Sequence, residues 1–122
     1  MRILIADDDR VIAQLAAAVV RQVGHVPVHA YDAMQTVMFA MRAPAPDLII
    51  LDINMPGGTG IDALRKLKQS TRTDQIPVIV LSGSIDQSLP AKVKELGAAA
   101  FLAKPLDPTA LAVAIGESLS AS

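Results

Sequence analysis

A chain of 122 residues with a net charge of −1 and 52% hydrophobic content holds core material for one domain, without the basic bias of a nucleic-acid binder. The absence of Cys excludes a disulfide scaffold, thiolate chemistry and any Cys-ligated metal. The apolar run at Ile3–Ala6 is too short for a signal peptide, and no run approaches the roughly 20 residues of a membrane span, so a cytoplasmic protein is expected.

Ile3 to Ala6 reads as a strand ended by Asp7, Asp8 and Asp9, any of which suits the start of the helix that follows. That helix is expected from about Arg10 to Val23, with Val11, Leu15, Ala18, Val19 and Val23 near one face and Gly24 just past its end. Its alanines read as good helix formers rather than as a docking stripe. A second strand spans His25 to Ala30. A helix from about Asp32 to Met41 follows, closed by Pro44 and Pro46. Met34, Met38 and Met41 recur at helical spacing and read as core packing, whereas His25 and His29 read as structural or exposed.

The run Leu48-Ile49-Ile50-Leu51 is short, apolar and β-branched at its centre, which fits a strand buried on both faces. Asp52 ends it, and Met55-Pro56-Gly57-Gly58-Thr59-Gly60 reads as a loop. Ile61, Leu64, Leu67 and the stem of Lys68 mark a third helix. Pro77 to Leu81 is a fourth strand, ended by Ser82-Gly83-Ser84. A fourth helix begins near Ser88, carries Pro90 in its first turn and stops before Gly97. Ala99 to Leu102 is a fifth strand, ended by Lys104-Pro105. Asp107 caps a last helix with Pro108 at its first position, lined by Leu111, Ile115 and Leu119.

Five strand–helix alternations with continuous apolar strands predict an α/β fold: a parallel sheet covered on both faces. With right-handed crossovers the expected architecture is a doubly wound, flavodoxin-like three-layer sandwich of strand order 2-1-3-4-5. The carboxyl ends of parallel strands share one edge, where ligands bind in such folds. That edge would gather Asp7 and Asp8, Asp52 and Asn54, Ser82 and Gly83, and Lys104. Taken singly, these are cap, turn and surface residues. Taken together, three carboxylates need a cation, and a few hard oxygen ligands suit Mg²⁺ better than zinc. A metal, a lysine, a hydroxyl and backbone N–H groups around one carboxylate make a phosphoryl site, and a carboxylate can be its nucleophile.

These residues resemble the receiver domain of two-component response regulators along essentially the whole chain, residues 1–122 forming one such domain. The matching pieces are Ile3 to Asp9, Leu51-Asp52-Ile53-Asn54-Met55-Pro56 with Gly60, Val80-Leu81-Ser82-Gly83, and Leu96-Gly97-Ala98 followed by Phe101-Leu102-Ala103-Lys104-Pro105. The resemblance implies that Asp52 is phosphorylated by a histidine kinase or a histidine phosphotransfer protein. It implies that Asp8 and Asp52 bind Mg²⁺ directly, that Asn54 contributes its backbone carbonyl, and that Asp7 acts through water. Ser82 and Lys104 would contact the phosphoryl oxygens. Phe101 matches an aromatic switch position that moves with Ser82, and Lys104-Pro105 matches a peptide bond that is cis in the family.

The resemblance further implies a regulatory phosphoacceptor rather than an enzyme with a separate substrate, one that assists its own phosphorylation and dephosphorylation. Its partners would be the phosphodonor and a downstream target or fused output domain, with no direct contact to nucleic acid or membrane. Few charges on the last helix, Asp107 and Glu117, leave a thin surface for self-association, so a monomer or a weak phosphorylation-dependent dimer is expected. Gly57-Gly58 departs from the bulkier residues of the family and predicts a mobile loop. Ser84 and Asn54 would flank an attacking water. An aspartate-nucleophile phosphatase would need a second acid where Asn54 stands. An interaction module without phosphorylation fits poorly with the intact acid set, and a flavin carrier would need a Ser/Thr-rich phosphate loop after the first strand and aromatics to stack on the ring, which this sequence does not offer. The 122 residues leave no room for an output domain, so a stand-alone receiver or a piece of a longer protein is expected.

Overall fold

The computed structural model describes residues 1–55, 60–83 and 86–120. The readings of Pro56, of the Gly57-Gly58 loop and of Ser84 lie outside the described residues. Strands and helices alternate along the chain: β1 (Arg2–Ala6), α1 (Arg10–Gln22), β2 (Val26–Ala30), α2 (Ala33–Met41), β3 (Leu48–Asp52), α3 (Gly60–Gln69), β4 (Val78–Ser82), α4 (Leu89–Glu95), β5 (Ala100–Ala103) and α5 (Pro108–Ser120). The five strands form one sheet in the order β2-β1-β3-β4-β5, every pair parallel. This is the doubly wound topology expected from the alternation.

The central strands β3 and β4 are buried along their whole length, which is why their sequence is continuously apolar rather than alternating. Ile3, Ile5, Leu48, Ile50, Ile79 and Leu81 pack against α1 and α5 on one face. Leu4, Ile49, Leu51, Val78 and Val80 pack against α2, α3 and α4 on the other. Asp9 caps α1, its carboxylate accepting from the N–H groups of Val11 and Ile12. Asp32 caps α2, and Asp107 accepts from the N–H of Thr109 at the start of α5. Gly24, just past α1, has φ +90°, a conformation that a side chain would strain. Lys68 is half-buried, and its ammonium donates to the carbonyls of Asp74 and Ile76, tying α3 to the approach to β4.

Two sequence readings are corrected. Of the five residues assigned to the inner face of α1, only Val19 is buried; Val11, Leu15 and Val23 are 68%, 47% and 38% exposed, and Ala18 is exposed too. The buried face is Ala13, Ala16, Ala17 and Val20, with Val19 beside it. Both sets follow helical spacing, and the smaller residues face inward because they let the helix lie close to the sheet and α5. The alanines are thus core contacts as well as helix formers. In α2 the same holds: Ala33, Thr36 and Ala40 are buried, while Met34 and Met38 are 69% and 49% exposed and Met41 is only partly covered. The three methionines are not core packing.

Candidate functional site

Register fixes the site. β1 pairs Ala6 with Leu51, and β3 pairs Asp52 with Leu81, so Asp7 and Asp52 leave adjacent strands at the same edge. β4 pairs Ser82 with Ala103, which brings Lys104 to that edge, and the Lys104 N–H donates to the Ser82 carbonyl at 2.8 Å. Asp7 and Ser82 are fully buried and Asp52 is 2% exposed, whereas Asp8 is exposed.

The Lys104 ammonium lies 3.3 Å from Asp7 Oδ2 and 3.3 Å from Asp52 Oδ1. One cation therefore bridges two buried carboxylates. Asp7 Oδ1 accepts the Asp9 N–H at 2.9 Å, and Asp52 Oδ1 accepts the Asn54 N–H at 3.1 Å. Asp7 Oδ2 has only the ion contact, without an aligned hydrogen bond. Burial, reinforced by the neighbouring Asp52 charge, pushes the Asp7 carboxyl up to about 6, against the opposing pull of the Asp9 N–H and Lys104. The sign follows: ionised Asp7 is disfavoured in the folded chain, so its contribution to stability falls as pH rises from about 4 to about 6.

Asp7, Asp8 and Asp52 each offer a carboxylate oxygen, all within 4.8 Å of one another. Three carboxylates against one ammonium leave two uncompensated negative charges, and the buried Asp7 Oδ2 has the Lys104 ion contact but no aligned hydrogen bond. Both features fit a divalent cation held by hard oxygen ligands. Asn54 stands beside these acids with its side chain exposed. Phe101 lies on the same face of the sheet as Ser82, two residues back along β5, half-buried against α4. The Lys104–Pro105 bond is cis, as is Ala43–Pro44.

Gly60, which reads from the sequence as the end of a loop, is the first residue of α3. A Cβ there would meet Ile53 Cα, and would stand 2.6 Å from the Asp52 carbonyl oxygen and 2.8 Å from that of Ile53. α3 therefore starts flush against the segment that carries Asp52, with the Gly60 N–H on the Ile53 carbonyl at 2.9 Å. Glycine is otherwise a poor choice inside a helix, and the close approach to β3 accounts for it here.

The family model described as the response regulator receiver domain matches residues 3–116. The phosphate regulon transcriptional regulatory protein PhoB of Escherichia coli K12 is 34% identical over 114 residues, 93% of this chain and 49% of PhoB. The chain thus spans about half the length of that relative. Protein PilH of Pseudomonas aeruginosa is 33% identical over 98% of both chains. Among solved structures, the receiver domain of NtrX from Brucella abortus superposes with a TM-score of 0.89 at 29% identity, covering 98% of this chain and 99% of that one. Fold, acid cluster and sequence agree: the chain belongs to the receiver domain family of two-component response regulators.

Proposed function

We propose that this receiver domain is a Mg²⁺-dependent phosphorylation switch of the cytoplasm. Asp52 accepts a phosphoryl group from a histidine kinase or a histidine phosphotransfer protein, and the acyl phosphate changes which target or output domain is bound. The observation that carries this reading is the bridging of two buried carboxylates, Asp7 and Asp52, by the single ammonium of Lys104.

The roles follow from the positions. Asp8 and Asp52 would hold the metal with the backbone carbonyl of Asn54, and Asp7 would act through water. When bound, Mg²⁺ supplies positive charge to phosphoryl oxygens and offsets the two excess negative charges of the acids. An Asp52 carboxylate oxygen attacks phosphorus, the bond from phosphorus to the donor histidine nitrogen breaks, and its electron pair stays on that nitrogen, which takes a proton from solvent. The Lys104 ammonium, already 3.3 Å from Asp52, neutralises oxygens of the arriving group. Ser82, at the end of β4, would bond a phosphoryl oxygen and draw its strand end inward, and Phe101 on the same face would follow into space beside α4. Val11 and Leu15 stand exposed on α1, which follows the acids in the chain, and would give the phosphodonor an apolar surface.

Incubation with acetyl phosphate and Mg²⁺ tests the reading by intact mass. The expected result is gain of one phosphoryl group, lost when the metal is chelated. No gain with metal present, or equal gain without it, would count against the proposal.

A further inference from the structure

A second polar site lies away from the acids, in a groove of about 410 Å³ between α1 and the outer strand β2. Arg10, Gln14 and Arg21 come from one face of α1, and His29 and Tyr31 from the β2 side. Ala13 and Ala17 lie between the arginines, and their small side chains leave the groove open. Arg10 and Arg21 are eleven residues apart, three turns of helix, so they emerge on the same side about 16 Å from each other. The Arg10 guanidinium lies over the Tyr31 ring, 4.9 Å from its centre, and the Tyr31 and His29 rings are parallel within 4°.

No carboxylate lines this groove, and neither guanidinium forms an ion pair among the described residues. In a chain of net charge −1 this is a local concentration of uncompensated positive charge. His29 adds an independent sign. Its Nδ1 is buried without a hydrogen-bond partner. A buried N–H without an acceptor costs more than a buried lone pair, so the proton belongs on Nε2, which is then the donor atom of the ring. Burial and the Arg21 charge lower the pKa of this imidazole. Arg10, Gln14, Arg21, His29 and Tyr31 can all donate to one ligand.

We propose that the groove between α1 and β2 binds an extended polyanion, a chain of phosphoryl groups either free or carried by a small organic molecule such as a nucleoside. A single phosphate is too small to engage both guanidinia, whereas a chain of three or more can run from Arg10 past His29 toward Arg21, with the long arginine stems leaning in to meet its ends. The cavity volume suits a small metabolite.

The test is titration of the Asp52→Asn protein in metal-free buffer, so that the acid site does not contribute. The probes are tripolyphosphate, ATP and adenosine, read by calorimetry and by amide chemical shifts. Saturable binding of tripolyphosphate is expected, with shifts concentrated at residues 10–21 and 29–31. Arg10→Ala and Arg21→Ala should each weaken it about tenfold, and Arg72→Ala, an exposed arginine elsewhere, should not. Tighter binding of ATP than of tripolyphosphate would support the nucleoside-borne form, and equal binding the free chain. Non-saturable shifts over all basic surfaces, equal weakening by Arg72→Ala, or binding of adenosine alone would overturn the proposal.

Discussion

Lys104→Met is expected to destabilise the metal-free protein by about 3 kcal/mol at pH 7 and to slow labelling by acetyl phosphate about 100-fold. The substitution keeps the side-chain length and removes the charge. Two carboxylates that are 0% and 2% exposed then lose the ammonium lying 3.3 Å from each. The loss depends on pH in a defined direction. The Asp7 carboxyl already stands at about 6, and Lys104 holds it below where burial and Asp52 would otherwise drive it. Without the lysine it rises further, so the destabilisation is largest above pH 6 and shrinks toward pH 5, where a protonated carboxyl has no need of a cation. Denaturant melts at the two pH values check this; equal losses at both would contradict it.

Gly60→Ala is the second large effect. The added Cβ would clash with backbone atoms at the end of β3, the Asp52 and Ile53 carbonyl oxygens among them, and backbone cannot rotate aside as a flexible side chain can. Either α3 withdraws from the sheet or the segment carrying Asp52 and Asn54 shifts. We expect a stability loss of about 2 kcal/mol or more, together with slower labelling of the fraction that folds. Wild-type melting and labelling in this variant would show that the close approach has no bearing on the site.

The fold was legible in the sequence because burial on both faces leaves a plain mark. Leu48–Leu51 and Val78–Leu81 are unbroken apolar runs, and their alternation with helical segments points to a covered parallel sheet. The ends of those runs then located the acids and Lys104 at one edge. Less legible was which helical stripe faces inward. In α1, Val11 and Leu15 compete with Ala13, Ala16, Ala17 and Val20 at equivalent spacing, and the choice rests on how closely the helix approaches the sheet. The exposed methionines of α2 have the same cause, since Ala33, Thr36 and Ala40 take the inward positions. Gly60 and His29 depend on how one element packs against another, Gly60 on the backbone of residues 52 and 53, His29 on a groove walled by α1. No local pattern carries such information.

A helix that buries alanines and shows its larger residues stabilises its own core through close packing and leaves Val11 and Leu15 exposed on its outer face. The buried Asp7–Asp52 pair works the other way, since two carboxylates held together by one lysine weaken the folded chain and leave it receptive to further positive charge.

The central claim is that a phosphoryl group rests on the carboxylate of Asp52, and borohydride trapping followed by peptide mass spectrometry tests it most directly. Reduction converts an acyl phosphate to the corresponding alcohol, so the labelled protein should carry homoserine at position 52 and nowhere else, and Asp52→Asn should yield none. A reduced residue at Asp7 or Asp8, or an intact phosphate on Ser82, His25 or His29 with Asp52 unmodified, would contradict the account.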